Sequence, residues 1–427
     1  MSLGLMFVIL AVLLVLEVPV AFALILSSMS FLLLDGTFPL NIVVQRMAPG
    51  LDSFPLLAIP LFVFAGNLFN KAGIAARIFD FALALVGHIR GSLAHVNVVA
   101  SIIFAGMSGV AQADAAGLGV VEIRAMKKAG FDGAFSAAVT AASSIIGPII
   151  PPSVILLIYA VTAQTSVSAI FLAGVLPGLM IGGLLMVLIY FMALSGMITA
   201  PVREVSKRSD VLRTFWRAIP AILAPVVLVF GLIFGIATPT ELGAVTVIYA
   251  IAFGFISGNL TVKSLMRAAF ASSLTTGILV FIISAAIPFG WVISVNALPQ
   301  ALTEFILSIS TNKYVVLLLI NLLLLVIGCI METTAILLIA IPTLLPLLNA
   351  LEIDLVHFGV IMVFNLLIGA ATPPFGVLLF IMVDIAEEPF GKIVKAIIPF
   401  YIPLILALLL ITFVPALTLW LPGALGE

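Results

Sequence analysis

Charge is what this chain most lacks: 17 Lys and Arg and 18 Asp and Glu make up 8% of its 427 residues. Set against 64% hydrophobic residues and a mean hydropathy of +1.41, that scarcity excludes an ordinary soluble domain and implies a polytopic helical membrane protein. A formal net charge of −1 gives no hold on nucleic acid. The single cysteine, Cys329, excludes a disulfide framework and thiolate metal clusters. The three histidines, His88, His95 and His357, read as surface or interfacial residues. No nucleotide-binding P-loop is present. The first apolar run has no basic leader and many others follow it, so it reads as a span and not a cleaved signal.

Proline and glycine, by contrast, are plentiful at 24 and 33 residues. Gly147-Pro148-Ile149-Ile150-Pro151-Pro152 and Gly369-Ala370-Ala371-Thr372-Pro373-Pro374 share the pattern G-x-x-x-P-P, 222 residues apart. Proline removes a backbone donor and breaks helices. Hydrocarbon tolerates the freed groups only where they line a cavity inside the protein. Two such interrupted segments in matching halves point to the midplane site of a secondary transporter.

The halves match elsewhere too. Glu17 and Glu241 lie beside Pro19 and Pro239, and Ile59-Pro60 and Ile287-Pro288 each follow an alanine. Asn97 precedes Met107 as Asn321 precedes Met331, and Asp132 and Asp354 each lie 15 residues before their motif glycine. Five matches in order at nearly constant offset indicate an internal duplication.

Between the halves, Arg203, Lys207, Arg208, Arg213 and Arg217 supply five of the 17 basic residues. The positive-inside rule puts that segment in the cytoplasm. Arg90 and Arg124, Lys127, Lys128 flank residues 93–121 on both ends, so that stretch reads as a re-entrant hairpin. Its counterpart, roughly residues 314–350, has no basic cluster and reads as periplasmic. The expected fold is all-α and polytopic, with two inverted-topology repeats, each of about five crossings, one re-entrant hairpin and one broken helix. Residues 1–200 form the first repeat, 201–217 a cytoplasmic basic linker and 218–427 the second repeat. Residues 2–34 allow either two short helices turning at Glu17-Val18-Pro19 or one long tilted helix. Residues 72–90 read as an interfacial amphipathic helix or a plain connector.

Two hairpins and two breaks give two candidate sodium sites. Unwound carbonyls and half-helix ends present partial negative charge to a cation, and hydroxyls add hard oxygen ligands. The first set is Gly106, Ser108, Gly109, Ser143, Ser144, Gly147 and Pro148. The second is Gly328, Met331, Thr333, Thr334, Gly369, Thr372 and Pro373. Taken singly, such small polar residues more often pack helices; as paired sets beside breaks they favour ligation. Intramembrane carboxylates are functional candidates by default. Glu332, at the second hairpin tip, is read as a substrate contact, with a capping role as the alternative. Asp114 is open between the two readings. Ser108 and Ser153 are the candidate hydroxyls for a polar solute. Glu17 and Glu241 read as structural, tying loop amides.

At these residues the chain resembles the large membrane subunit of a tripartite ATP-independent periplasmic (TRAP) transporter. The matching stretches include Leu57-AIPLFVFAGNLF-Asn70, His88-IRGSLAHVNVVASIIFAGMSG, Ala137-AVTAASSIIGPIIPPS and His357-FGVIMVFNLLIGAATPPFG, and they cover nearly the whole chain. The resemblance implies an elevator-type, sodium-coupled transporter of the bacterial inner membrane. It also implies a smaller four-helix membrane subunit, a periplasmic solute-binding protein and an organic anion such as a dicarboxylate, sugar acid or sialic acid. In relatives that carry sialic acid, positions matching Ser108, Ser153 and Glu332 contact the solute. Departures from the family pattern are Val110 and Gln112 after the first tip, and Glu332 in place of a more usual aspartate. With no further apolar domain before residue 1, a small subunit encoded separately is expected. The competing readings are a stand-alone sodium–carboxylate symporter, an integral-membrane enzyme and a purely structural subunit. The enzyme lacks a catalytic cluster, and midplane breaks would destabilise a subunit with no cavity to line.

Overall fold

Capping and turn residues cut the apolar chain into helices. In the computed structural model the described residues are 3–36, 38–48, 51–198 and 205–426, the side chains of Ser108 and Ile233 excepted. All regular elements among them are helical. The first half runs α1 (Leu3–Val15), α2 (Val20–Asp35), α3 (Asn41–Met47), α4 (Ala58–Lys71), α5 (Ile74–Val86), α6 (Leu93–Ser108), α7 (Ala111–Lys128), α8 (Gly133–Ser144), α9 (Val154–Ala163) and α10 (Val167–Leu194). The second half runs α11 (Arg208–Ile233), α12 (Pro239–Ile256), α13 (Val262–Val295), α14 (Leu298–Ile309), α15 (Lys313–Gly328), α16 (Thr333–Ala350), α17 (Leu355–Ala370), α18 (Val377–Ala386), α19 (Phe390–Ile397), α20 (Tyr401–Phe413) and α21 (Ala416–Ala424).

The paired signals in the sequence fall at equivalent elements. Asp132 and Asp354 each cap the first arm of a broken helix, accepting from Phe135 N and His357 N at 2.9 Å. The first G-x-x-x-P-P motif lies in the turn after α8, the second starts at the last two residues of α17 and runs into the turn after it, and both Pro–Pro bonds are cis. From α5 to α10 and from α14 to α20 the order is the same: short helix, hairpin, broken helix, then the closing span. Among the described residues, seven helical stretches are long and apolar enough to cross a membrane. The first hairpin arms α6 and α15 are not. At 16 residues each they reach about 24 Å, short of a hydrocarbon core of about 30 Å.

Residues 3–35 form two helices, turning where Glu17 takes a left-handed φ of 60°. Helix α5 buries Ile74, Ala75, Ile78, Phe79, Ala82 and Val86 on one side, and Arg77 lies 5.0 Å over the Phe253 ring. That is the amphipathic arrangement. The basic segment continues directly into α11, which begins at Arg208; residues 201–204 lie outside the described residues.

Two expectations are corrected. Glu241 does tie a loop, accepting from Thr238 N at 2.7 Å and Thr238 Oγ1 at 2.8 Å. Glu17 does not: its side chain is exposed, and the left-handed backbone makes that turn instead. His95 and His357 are buried, not interfacial. Each rests one ring nitrogen on a local acceptor or hydroxyl, Arg90 O and Thr418 Oγ1, both at 2.8 Å, which lets a neutral imidazole sit in the core.

Helices α8 and α17 are the centre of the molecule. Every residue of α8 is buried, as is every residue of α17 from His357 on. Around them the halves interlock: α7 packs on α8 and on α18 of the other half, while α16 packs on α17 and on α9. Helix α4 packs against α12 and α13, and α2 against α13, forming a second group of contacts across the halves.

Candidate functional site

Each hairpin tip meets a break. In the first half, α6 ends at Ser108 and Gly109 turns the chain with φ 61°. Val154 N donates to Gly109 O at 3.2 Å, and the Gly109 Cα packs so tightly on Pro152 that no side chain fits. The Asp114 carboxylate, buried in the first turn of α7, packs on the Cα of Gly147 at the break. In the second half, Gly328 and Gly369 stack backbone on backbone: a Cβ on Gly369 would lie 2.6 Å from the Gly328 carbonyl carbon. Phe375 N donates to Cys329 O at 3.2 Å, tying the second tip to the segment after the break.

The broken helices end without regular partners for their last carbonyls. Residues 145–153 and 371–376 carry no continuous helix, so those carbonyls are met piecemeal. Ser153 donates its hydroxyl to Pro148 O and accepts from Leu156 N at 3.1 Å, bridging the first gap. Ser144 donates to Thr140 O at 2.7 Å, and Gly147 N donates to Ser144 O at 3.2 Å. In the second gap, Thr372 donates to Ile368 O at 2.7 Å and Tyr401 donates to Ala371 O at 2.8 Å. Oxygen atoms of carbonyls and hydroxyls are thus concentrated at both breaks, which is the donor set a hard monovalent cation needs.

The expected residues divide accordingly. At the first junction Gly109 meets Pro152 and Ser153, Gly147 meets Asp114, and Pro148 O accepts from Ser153; at the second Gly328 meets Gly369, with Thr372 and Pro373 in the turn that follows. Gly106 packs against Pro225 of α11. Ser143 and Ser144 are buried at the end of α8. Met331 is half-buried at the second tip, and Thr333 and Thr334 open α16 just beyond it. The Ser108 side chain lies outside the described residues. Glu332 caps α16: its Oε2 accepts from Ala335 N at 3.0 Å and its Oε1 from Thr334 Oγ1 at 2.9 Å. Ser153 is fully buried.

Behind each junction lies a polar network, of which the sequence marked Asn97 and Asn321 as a repeat and Ser143 as a sodium ligand. Asn97 of α6 donates to Thr140 Oγ1 at 2.6 Å and accepts from Ser143 Oγ at 2.6 Å, and Ser101 donates to Ser143 at 3.0 Å. In the second half Asn321 of α15 donates to Thr412 at 2.9 Å, and Asn365 donates to Asn321 Oδ1 at 2.8 Å. Asn365 stands where Ser143 stands in the first half. All of these residues are buried. They fasten the entering arm of each hairpin to the first arm of the broken helix beside it. The run Ser136, Thr140, Ser143 at helical spacing was the available signal for the first network.

Paired hairpins closing on paired helix breaks, inside a bundle with seven candidate spans, define a multi-pass membrane transporter. The comparisons narrow the class: residues 7–417 match the family model of the tripartite ATP-independent periplasmic transporter, DctM component, and the chain belongs to that family. It is 43% identical over 406 residues to the sialic acid TRAP transporter large permease protein SiaM of Vibrio cholerae, covering 95% of this chain and 94% of that one. It is 36% identical over 376 residues to the C4-dicarboxylate TRAP transporter large permease protein DctM of Pseudomonas aeruginosa, covering 88% of each. The crystal structure of the Alcanivorax borkumensis YdaH transporter aligns with a TM-score of 0.65 at 14% identity, over 91% of this chain and 90% of that one. That last likeness is one of fold alone. The chain is accordingly a large TRAP membrane subunit, a multi-pass protein of the bacterial inner membrane.

Proposed function

We propose that this subunit carries a small organic anion inward, driven by sodium, after a periplasmic solute-binding protein delivers it. The observation that carries the reading is the doubled junction of hairpin tip and broken helix, rich in oxygen donors and repeated in both halves. The named relatives' solutes, sialic acid and C4-dicarboxylates, are carboxylates, which supports an anionic substrate of the dicarboxylate, sugar-acid or sialic-acid class. A small four-helix membrane subunit is the expected second partner in the bilayer.

In this reading sodium is a co-substrate. The carbonyls at residues 144–148 and 368–372, with the hydroxyls of Ser143, Ser144, Thr333, Thr334 and Thr372, would surround it, and the glycines let the backbones come close enough. Bound sodium fixes each tip on its break and offsets the charge of the anion. The solute contacts are Ser108, Ser153 and Glu332. Both Ser153 and Glu332 spend their polar atoms on local caps here, so engaging a solute means exchanging a cap for a substrate hydrogen bond. The two inverted repeats would then move as an elevator: hairpins and broken helices travel as a block against the scaffold around α4, α12 and α13. The role is transport and not catalysis.

The stand-alone symporter remains the second reading, because the same junctions would serve it. Proteoliposomes holding the chain with its small subunit separate the two, using labelled sugar acids and dicarboxylates with and without the binding protein. Uptake that needs both a sodium gradient and the binding protein is expected. Uptake without the binding protein would support the symporter, and equal uptake in potassium would overturn sodium coupling.

A further inference from the structure

Glu122 is a carboxyl that the transport reading leaves idle. It lies on α7, eight residues beyond Asp114, about 12 Å along the helix, and six residues before Lys128. Only 1% of it is exposed, and its Oε1 has no hydrogen-bond partner. Helix α7 packs against α4, α5, α6, α8 and α18. The charged or titratable groups on those elements are Lys71, Arg77, Asp80, His95, Asp132 at the α8 cap, and Asp384, and none forms an ion pair with it. On its own helix Arg124, Lys127 and Lys128 are exposed, and Lys127 donates to Ala386 O at 2.8 Å. Asp114, which carries the same sign, lies on the same helix.

An ionised carboxylate in such a place has no cation and no donor at Oε1 to hold it, and almost no solvent. The cost of burying an uncompensated charge is several kcal/mol, and the group takes a proton instead. We propose that Glu122 is a proton-binding site built into the first hairpin, loaded with a proton in this conformation and discharged when water reaches the junction of α7, α8 and α18. Its ligand is the proton alone, because no second oxygen donor is directed at Oε1. The site itself does not depend on sodium coupling; only its effect on uptake rests on the transport reading. Because α7 spans from the first tip to the basic end of the hairpin, any motion that wets this junction makes uptake sensitive to pH.

The test is infrared difference spectroscopy of the purified full chain at neutral pH, wild type minus Glu122→Gln. The expected difference is loss of one carbonyl stretch of a protonated carboxylic acid, moved by deuterium exchange. Glu122→Asp serves if the glutamine variant does not fold, and should keep the acid band at a shifted frequency. Paired carboxylate stretches in the difference, or no acid band, would show an ionised group and overturn the proposal whether or not sodium binds. In proteoliposomes, wild-type uptake should fall on the alkaline side where the band disappears. The glutamine variant should lose that dependence while keeping its response to sodium; identical pH profiles would overturn the coupling to transport.

Discussion

Replacing Gly369 by alanine probes the closest backbone contact in the molecule's second junction. The new Cβ would lie 2.6, 2.7 and 2.9 Å from the carbonyl carbon, Cα and carbonyl oxygen of Gly328. Ordinary contacts begin at 3.4 Å, so the two backbones must separate by close to an ångström. Both partners are main chain, and no rotamer change relieves the clash. Overpacking of this kind costs about 1–3 kcal/mol. If one or two of those are lost from the sodium-competent closure, sodium affinity falls about 5- to 30-fold. Gly183 in α10 is the control: a Cβ there meets nothing within 4 Å, and alanine is favoured over glycine inside a helix by about 1 kcal/mol. Thermal unfolding of both variants across a sodium titration reads the comparison. Gly369→Ala should melt lower and need more sodium for the same shift, while Gly183→Ala should match or exceed the parent. Identical behaviour of the two variants would refute the closed junction.

Three further outcomes follow from the same geometry. Asn97→Ala takes one partner each from the buried hydroxyls of Thr140 and Ser143, which keep Ser136 O and Thr140 O as acceptors, and should cost about 0.5–1.5 kcal/mol per bond lost in chemical unfolding; an unchanged midpoint contradicts the network. Glu332→Gln keeps the cap's shape but removes the charge, so it should impair uptake of the native solute far more than it lowers the melting temperature. Wild-type uptake kinetics in that variant would remove Glu332 from the solute site. Glu241→Ala breaks the capping box at Thr238 and should lower the melting temperature without altering sodium dependence; a changed sodium response would place that turn in the coupling path.

Repetition made much of this fold legible, because residues that punctuate membrane helices are few and their reasons are local. Asp132 and Asp354 could be paired from spacing alone, and both turn out to cap. The Pro-Pro motifs located both breaks, since nothing else in an apolar segment stops a helix so abruptly. What stayed hidden depends on which face a residue presents to a neighbour far along the chain. Asn365 and Tyr401 look like isolated polar residues until α17 meets α15 and α20. Glu17 shows the opposite failure: it matched Glu241 in position, but lacks the threonine three residues earlier that completes a capping box. His95 and His357 read as interfacial because burial of a neutral imidazole needs partners that the sequence alone does not place.

The most direct test of sodium coupling is thermal unfolding of the purified chain in sodium against potassium at equal ionic strength. A ligand that binds only the folded state adds stability as RT ln(1 + [L]/Kd), about 2.7 kcal/mol at a hundredfold excess over Kd. Sodium should raise the melting temperature with concentration and potassium should not, and Ser144→Ala and Thr372→Ala should each weaken the effect. Equal melting in the two salts, or a sodium shift untouched in both variants, would contradict the paired sodium sites.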